Sequence, residues 1–383
     1  MRQRWLWLCL WGVASVQAAS LSLQVRQIGA FYRFSITEEG EVARHHQVYV
    51  DSDADATTGF PLGEIGAEYL LENGLLYRYL GDGWQWEYVG VVEVFGNDLF
   101  IDWQVAKSDL AGADSMVAVA MDLDADWNMV RSSAPTVNQG PIWRPGPQDT
   151  WHWQLTGQLD TDDDSQIFDI DLFDTPTTTI AALHREGKKV VCYFSAGSFE
   201  NWRPDAGSFP DSVKGEPLEG WYGEWWLDVR QIDVLASIMQ RRLDLAKAKG
   251  CDGVEPDNVD AYGNSSGFPL TREDQLRYNR FLARWAHERG LAVALKNALE
   301  LVEELEPDFD WALNEQCFEY DECDRLLPFV TAGKAVWGVT YVDRRRQGRW
   351  QARAICPEAQ RLGFLWQIRT WDLDDWKLSC GDI

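Results

Sequence analysis

The chain of 383 residues is strongly acidic, with 61 aspartates and glutamates against 35 lysines and arginines and a formal net charge of −26. Such a surface repels phosphate backbones, which argues against a nucleic-acid partner and suits a cationic one. The 21 tryptophans offer flat faces that can stack on sugar rings, although core packing uses the same side chains.

Residues 1–19 have the layout of a cleaved secretory signal peptide. Two arginines precede an apolar run, and alanines follow it at positions 18 and 19. The run is too short to span a bilayer as a helix, and no later segment is long and apolar enough. A retained N-terminal anchor is the alternative. The sequence thus predicts a protein that is secreted or periplasmic and free of the membrane after cleavage.

Residues 20–137 are predicted to form an all-β sandwich. Runs rich in β-branched and aromatic residues, such as LSLQVRQIGAFYRFSI (21–36), alternate with Gly, Asp and Asn turns. The segment GAEYLLENGLLYRYLGDGWQWEYVG (66–90) resembles sandwich domains of the family-9-like carbohydrate-binding type. Within it, Trp84, Trp86 and Tyr88 could form a flat sugar platform or pack one sheet on the other.

The turn VDSDADATTGF (50–60) places Asp51, Asp53 and Asp55 at alternate positions. This spacing would suit a Ca²⁺ loop, because Ca²⁺ binds carboxylate oxygens. The helix-bounded twelve-residue pattern of an EF-hand is absent, however. An ordinary acidic turn is the preferred interpretation, and no metal is predicted.

Residues 138–150 are rich in proline and glycine and are predicted to link this sandwich to a second domain at 151–383. There, candidate strands alternate with helices, several of which end on a glycine. Eight strands favour a (β/α)8 TIM barrel over an open doubly wound sheet, for which no glycine-rich phosphate loop is present. The candidate strands are 151–155, 168–173, 189–194, 253–258, 292–297, 311–316, 335–341 and 364–369.

Six of the seven cysteines remain once the signal peptide is removed. An even number in an oxidising compartment favours disulfides. Proximity in sequence suggests two pairs, and elimination suggests a third unless its members stay free thiols: Cys317–Cys323, Cys356–Cys380 and Cys192–Cys251.

Acidic residues end two of the candidate barrel strands. Alternation turns Glu255 and Asp257 of GVEPDN toward the barrel interior, and Glu315 lies at the equivalent end of WALNEQ two strands later. Chemistry on this fold takes place at the carboxyl ends of the strands, so Asp257 and Glu315 could meet over a substrate. One would act as nucleophile or base, and the other, with a raised pKa, would protonate the leaving oxygen of a glycoside. Lys296 could instead make them a salt-bridged scaffold, or keep Asp257 ionised.

Four motifs follow one another along the barrel: YFSAGSFENWRPD (193–205), GCDGVEPDNVDAY (250–262), LKN (295–297) and NEQCFEYDEC (314–323). Together they resemble glycoside hydrolase family 114, the endo-α-1,4-polygalactosaminidases. The resemblance implies a (β/α)8 fold, a reaction without a cofactor and a catalytic pair on strands four and six. The matching positions are Asp257 as nucleophile and Glu315 as acid/base, which implies retention of configuration. Glu255 is the alternative to Asp257.

The resemblance implies a substrate made of α-1,4-linked galactosamine, which is cationic where it is not acetylated. Residues at strand ends or in the long loop after strand three are candidates to bind it: Asp171, Tyr193, Trp202, Glu255, Asn258, Asp260, Lys296, Asn297 and Tyr341. The strand-end motifs contain no histidine, so no His-based metal site is predicted there. The competing hypotheses are an α-glycosidase for another amino or neutral polysaccharide, and a non-catalytic polysaccharide-binding protein.

Overall fold

A computed structural model describes residues 20–39, 43–97, 100–111, 116–138 and 140–382. The predicted signal peptide at 1–19 lies outside these ranges. The described chain forms two compact units that divide between Pro141 and Ile142. Within the described ranges, no helix has both the length and the apolar character needed to cross a bilayer.

The first unit is built from antiparallel strands. One sheet has the order β1-β2-β10-β9, and a larger one has the order β12-β11-β3-β6-β7-β8, with β13 also paired to β11. The strands are β1 (Ser20–Ile28), β2 (Phe31–Glu39), β3 (His45–Asp51), β4 (Phe60–Leu62), β5 (Ile65–Ala67), β6 (Tyr69–Glu72), β7 (Leu75–Tyr79), β8 (Trp86–Val91), β9 (Glu93–Asn97), β10 (Phe100–Ala106), β11 (Val117–Leu123), β12 (Met129–Ser132) and β13 (Thr136–Val137).

Alternate residues of the two sheets form one buried apolar core. Phe34 and Trp103 from the smaller sheet pack in the same cluster as Val50 and Leu71 from the larger one. Period-two alternation of apolar residues is what allows each sheet to bury one face in this way. The predicted all-β sandwich is confirmed.

The three aromatic residues predicted to form a flat platform do not lie in one plane. Trp84 and Tyr88 are exposed, whereas Trp86 packs against Tyr49 and Tyr79. The ring planes of Trp84 and Trp86 meet at 72°. These rings therefore do not form the single flat surface that stacking on one sugar chain would require.

The second unit is a curled parallel sheet surrounded by helices. Its strand order follows the chain, β14-β15-β16-β20-β21-β22-β23-β24, and the antiparallel β25 pairs with the last of these strands. The strands are β14 (Trp151–Gln154), β15 (Ile167–Asp171), β16 (Lys189–Ser195), β17 (Ser198–Glu200), β18 (Lys214–Pro217), β19 (Glu224–Leu227), β20 (Gly253–Asp257), β21 (Ala292–Lys296), β22 (Trp311–Glu315), β23 (Val336–Val342), β24 (Leu365–Thr370) and β25 (Lys377–Ser379).

Side chains connect the first and last parallel strands. Trp151 Nε1 donates to the Leu365 carbonyl at 3.0 Å, and Gln367 Nε2 donates to the Trp151 carbonyl at 2.6 Å. Parallel strands of this kind are buried on both faces, which explains the nearly continuous apolar runs in the sequence. The predicted TIM-barrel class is confirmed, with β25 as an additional strand that was not predicted.

The helices follow the strands as expected for βα units. α2 ends on Gly250, whose φ of 95° is the left-handed conformation that glycine adopts at little cost. α3 begins with a capping box between Thr271 and Asp274. The helices are α1 (Thr177–Arg185), α2 (Ile232–Lys249), α3 (Arg272–Glu288), α4 (Val302–Leu305), α5 (Cys317–Tyr320), α6 (Leu327–Thr331) and α7 (Gly348–Leu362).

All three disulfides pair as the sequence suggested: Cys192–Cys251, Cys317–Cys323 and Cys356–Cys380. The first joins β16 to the residues just before β20, so the alternative of free thiols at these positions is wrong. This covalent bond links the two strands whose ends carry Tyr193 and Asp257.

Candidate active site

The carboxyl ends of the parallel strands open into a cleft of about 710 Å³. Its floor is formed by strand-end residues, and one wall comes from the segment between β16 and α2. Eight of the predicted site residues line it: Tyr193, Asp257, Asn258, Asp260, Lys296, Asn297, Glu315 and Tyr341.

Asp257 is the last residue of β20, and three groups hold its carboxylate. Its Oδ1 accepts a hydrogen bond from the Asn258 amide at 2.8 Å and lies 3.3 Å from Lys296 Nζ. Tyr193 donates its hydroxyl proton to Oδ2 at 3.2 Å. These three groups fix the orientation of the carboxylate at the end of the strand, as a nucleophile requires.

Glu315 is the last residue of β22 and is held by a different set of donors. Tyr341 donates to Oε1 at 2.5 Å, and Asn297 Nδ2 donates to Oε2 at 2.9 Å. Lys296 Nζ lies 3.6 Å from the same Oε2. Burial alone would raise the pKa of Glu315, but Lys296, Tyr341 and Asn297 together lower it below its usual value.

The lowered pKa of Glu315 corrects one expectation. The sequence predicted a raised pKa for this residue, as a general acid usually has, but the free protein stabilises its ionised form. The reason is tertiary, because Tyr341 and Lys296 arrive from neighbouring strands of the barrel. Protonation of Glu315 therefore requires either acidic pH or the bound substrate.

Lys296 lies between the carboxylates at the centre of the cleft floor. Its Nζ bonds Glu255 Oε1 at 2.7 Å in addition to its contacts with Asp257 and Glu315. Burial alone would lower the pKa of this side chain, which is 2% exposed, but the three carboxylates raise it well above its usual value. The ammonium is thus a permanent positive charge shared by three acids.

Glu255, the alternative nucleophile, is fully buried beneath Lys296 and does not line the cleft. Burial raises its pKa to about 7 and raises that of the adjacent Asp169 well above its usual range. Both oxygens of Asp169 and Oε2 of Glu255 are buried without another partner, and a protonated Asp169 would supply the donor that they lack. Glu255 thus supports Lys296, and access favours Asp257 as the group that meets a substrate.

The polar residues predicted to bind sugar mostly hold the acids instead. Tyr193, Asn297 and Tyr341 bond Asp257 or Glu315, and Asn258 directs its side-chain amide to Ser195 Oγ at 2.9 Å. Asp260 lines the cleft, and its side chain does not cap the short helical turn that follows it.

Besides Glu255, two more of the predicted binding residues lie outside the cleft lining. Asp171 forms a buried ion pair with Arg203, with 2.7 Å between Oδ2 and the guanidinium nitrogen. Trp202 is exposed but does not contribute to the cleft lining. Neither residue lines the described cleft, because Arg203 from the segment after β16 pairs with Asp171 and Trp202 of the same segment faces solvent.

That segment was expected to be irregular, but it contains a small antiparallel sheet of order β17-β19-β18. Buried Glu224 of β19 accepts from Ser198 Oγ at 2.8 Å. The sheet and the turn that joins β18 to β19 present to the cleft three acids that the site prediction omitted: Glu216, Glu219 and Glu224. Two tryptophans were omitted as well, Trp153 in the first parallel strand and Trp371 just after the last parallel strand.

Trp371 stacks on Tyr341 with ring centroids 4.3 Å apart and planes at 15°. It follows directly on the last parallel strand, and half of its surface remains exposed. A sugar ring could stack on this free face. Its position directly after a predicted strand was the feature of the sequence that could have identified Trp371 as a cleft residue.

The residues after three neighbouring strands have left-handed backbone conformations. Their φ angles are 61° at Asn258, 46° at Asn297 and 67° at Gln316. Asparagine tolerates this region better than most residues. The sharp turn at Asn258 directs its amide to Asp257, while Glu315 N donates to Asn297 Oδ1 at 2.9 Å.

Comparisons with known proteins match the second unit. The family model for the glycoside-hydrolase family GH114 covers residues 132–383. The crystal structure of Aspergillus fumigatus Ega3 in complex with galactosamine is similar, with 41% identity and a TM-score of 0.59, over 62% of this chain and 97% of that one.

The glycoside hydrolase domain of PelA from Pseudomonas aeruginosa has the same fold, with 16% identity and a TM-score of 0.50, over 60% of this chain and 98% of its own. No curated protein matches the chain. The family model spans well over half of the sequence, and the resemblance read from the four motifs is confirmed. The chain belongs to glycoside hydrolase family GH114.

Proposed function

We propose that this glycoside hydrolase cleaves α-1,4-linked galactosamine-containing polysaccharide at internal bonds, with Asp257 and Glu315 as the catalytic pair. The main support for the proposal is the placement of these two residues. Each is the last residue of a barrel strand, each lines the cleft, and each contacts Lys296. The similar Ega3 structure holds galactosamine, which supports this choice of sugar.

The charge of the cleft supports an amino sugar as well. Glu216, Glu219, Glu224 and Asp260 line the cleft around the catalytic pair. Burial raises the pKa of Glu224 to about 7 and that of Asp260 to about 6. An ammonium group of galactosamine would favour their ionised forms and gain attraction from them.

The proposed reaction has two steps. A carboxylate oxygen of Asp257 attacks the anomeric carbon, the glycosidic C–O bond breaks, and Glu315 gives its proton to the leaving oxygen. Glu315 then takes a proton from water, whose oxygen attacks the same carbon and releases Asp257. Each step inverts the anomeric centre, so the product keeps the α configuration.

The spacing of the acids supports retention. Lys296 Nζ is 3.3 Å from an Asp257 oxygen and 3.6 Å from a Glu315 oxygen. These distances place the two oxygens no more than about 7 Å apart, which accommodates the roughly 5–5.5 Å separation of the carboxyl groups in retaining enzymes.

The experiment that tests the substrate is product release from α-1,4-galactosamine polymer in partly deacetylated and fully N-acetylated forms, with a neutral α-1,4-glucan as control. We expect oligosaccharides of mixed length from the deacetylated polymer and none from the glucan, as measured by mass spectrometry. Proton NMR of the first products should show the α anomer. Binding without cleavage would instead support a non-catalytic polysaccharide-binding protein, and cleavage of the glucan would support a different α-glycosidase.

The low pKa of Glu315 leads to a prediction for pH dependence. If Glu315 is the acid, the alkaline limb of kcat/KM reports its pKa in the free enzyme and lies on the acid side of neutrality. Tyr341→Phe removes a donor that stabilises the carboxylate, so the pKa of Glu315 rises and this limb moves to higher pH.

The profile of Tyr341→Phe also tests the assignment of roles. Movement of the acid limb in place of the alkaline limb would mean that Glu315 must be ionised in the first step, which would exchange the roles of Glu315 and Asp257. Tyr262→Phe is a matched control, because Tyr262 donates at 2.7 Å to the distant Glu300; its profile should equal that of the wild type.

We also propose that the enzyme acts outside the cytoplasm, with residues 1–19 as its signal peptide, 20–137 as a carbohydrate-binding-module-like sandwich and 151–383 as the catalytic barrel. Three disulfides in the barrel support an oxidising compartment. Ile142 and Trp143 lie within the predicted linker but pack with the barrel core. This packing favours a start of the barrel domain close to residue 142, where the second compact unit begins, over a start at 151.

A further inference from the structure

Three carboxylates converge at one end of the sandwich, far in sequence from the catalytic barrel. Asp51 ends β3, Asp53 lies in the turn that follows, and Glu68 comes just after β5. One oxygen from each of the three lies within 4.8 Å of the other two. Like charges at this distance repel one another, so the cluster needs a compensating interaction.

Asp51 contributes a buried oxygen that has no partner. The residue is 2% exposed, and its Oδ2 accepts from the Gly66 amide at 3.2 Å. Its Oδ1 is buried and makes no hydrogen bond. A buried carboxylate oxygen without a donor is costly, which indicates a ligand at this position.

The surrounding donors orient the other two carboxylates without neutralising them. Ser52 N donates to Glu68 Oε2 at 2.8 Å, and Thr58 Oγ1 lies 2.8 Å from Glu68 Oε1 and 3.1 Å from Asp53 Oδ2. Among the ion pairs within the described residues, none involves Asp51, Asp53 or Glu68. The three charges therefore face one another in a frame of neutral groups.

The backbone is built tightly around this cluster. The chain crosses so close to Gly66 that a Cβ there would lie 1.9 Å from the Thr58 carbonyl oxygen. Only glycine allows this approach, and the amide of Gly66 donates to Asp51 Oδ2.

We propose that Asp51, Asp53 and Glu68 bind a Ca²⁺ ion. Oxygen ligands at roughly 2.3–2.6 Å from one Ca²⁺ lie at most about 5 Å apart, which accommodates this cluster. An all-oxygen, carboxylate-rich donor set suits a hard cation and does not suit zinc or copper. The ion would supply the missing partner of Asp51 and tie the turn after β3 to the residue that follows β5.

This site differs from the Ca²⁺ loop considered from the sequence. Asp55 does not belong to it, because its carboxyl lies outside the cluster of three. Its Oδ1 accepts from the Thr57 amide at 3.0 Å and from the Thr57 hydroxyl at 2.6 Å. Glu68 takes its place from outside the turn, which local spacing could not reveal.

The test uses the full chain freed of metal with EDTA, followed by equilibrium dialysis against Ca²⁺ at physiological salt. Because acids of the catalytic cleft could also attract Ca²⁺, the measured quantity is the difference between variants. Wild type should bind one more Ca²⁺ per chain than Asp53→Asn, or bind it at least about ten-fold more tightly. Asp55→Asn, the matched control with its carboxyl on Thr57, should bind like the wild type.

Thermal unfolding gives a second readout, because the difference in unfolding temperature between wild type and the ligand variants should change sign when Ca²⁺ is added. Without Ca²⁺, Asp51→Asn and Asp53→Asn relieve repulsion, so both should unfold at or above the wild-type temperature. With Ca²⁺, only the wild type and Asp55→Asn should gain stability. The proposal is overturned if wild type binds no more Ca²⁺ than Asp53→Asn, if Mg²⁺ stabilises it equally well, or if both variants are less stable in EDTA, as for a purely structural acidic turn.

Discussion

Asp257→Asn and Glu315→Gln should each abolish hydrolysis while leaving the fold intact. The first removes the charged oxygen that attacks the anomeric carbon, and the second removes the proton donor to the leaving group. Each should lower kcat/KM at least about 10³-fold. Both amides preserve the shape of the side chain, so circular dichroism and urea unfolding should remain close to those of the wild type.

Glu319→Gln is the matched control for this pair. It makes the same substitution just after the strand of Glu315, at a carboxylate that accepts from Gln316 and lies outside the cleft lining. It should keep wild-type activity. Retention of more than about a tenth of the activity by either amide variant would remove the pair from catalysis and make Glu255 the next candidate.

Azide distinguishes the two roles, since a small anion can occupy the space of a removed carboxylate. With an activated α-glycoside, Asp257→Gly and azide should give the β-glycosyl azide, because azide replaces the nucleophile. Glu315→Ala and azide should give the α-glycosyl azide, because azide attacks the covalent intermediate. The reverse pattern would exchange the assignments.

Lys296→Met should have the second large effect, on both stability and activity. The ammonium is surrounded by Glu255, Asp257 and Glu315. Removing one partner of a buried ion cluster leaves uncompensated charge, which costs about 3–5 kcal/mol of unfolding free energy. Activity should fall at least about 10²-fold, since Asp257 and Glu315 lose the ammonium group that lies between them.

The stability loss in Lys296→Met should depend on pH with a defined sign. The pKa of Lys296 lies well above its usual value, so the wild-type ammonium stays charged throughout the neutral range. Without it, the acids that it bound bind protons more readily in the folded state. The stability deficit of the variant should therefore shrink as the pH falls and grow as the pH rises through neutrality.

Two further variants separate these effects. Lys249→Met removes an ammonium that binds backbone carbonyls, including that of Leu172 at 2.6 Å, so it should destabilise without this pH dependence. Adding Glu255→Gln to Lys296→Met removes one of the unpaired charges and should restore part of the stability. If Lys296→Met unfolded at the wild-type urea concentration at every pH, the buried ion cluster would not exist as described.

Local sequence carried enough information to predict the barrel and the acids at its mouth. Period-two alternation placed Glu255 and Asp257 on the interior face of one strand, and the strand count placed Glu315 two strands away. Both depend only on contacts within a strand and on the sequential order of βα units. The disulfides followed from proximity and elimination for the same reason.

Properties set by distant residues could not be predicted. The low pKa of Glu315 depends on Tyr341 and Lys296, and the loss of Asp171 from the cleft depends on Arg203 in a later segment. Tertiary packing also determines that Trp202 is exposed and that Trp371 stacks on Tyr341. In each case the sequence shows the residue type and leaves its partner undetermined.

The left-handed conformations of Asn258, Asn297 and Gln316 also lower the stability of the fold at the mouth of the barrel. A non-glycine residue in such a conformation costs of order 1–3 kcal/mol, and the rest of the fold must compensate for it. Glycine at position 297 would relieve that strain, but it would also remove the amide that holds Glu315. Thermostabilisation of this enzyme therefore has to avoid these positions, where a gain in robustness would be exchanged directly for turnover.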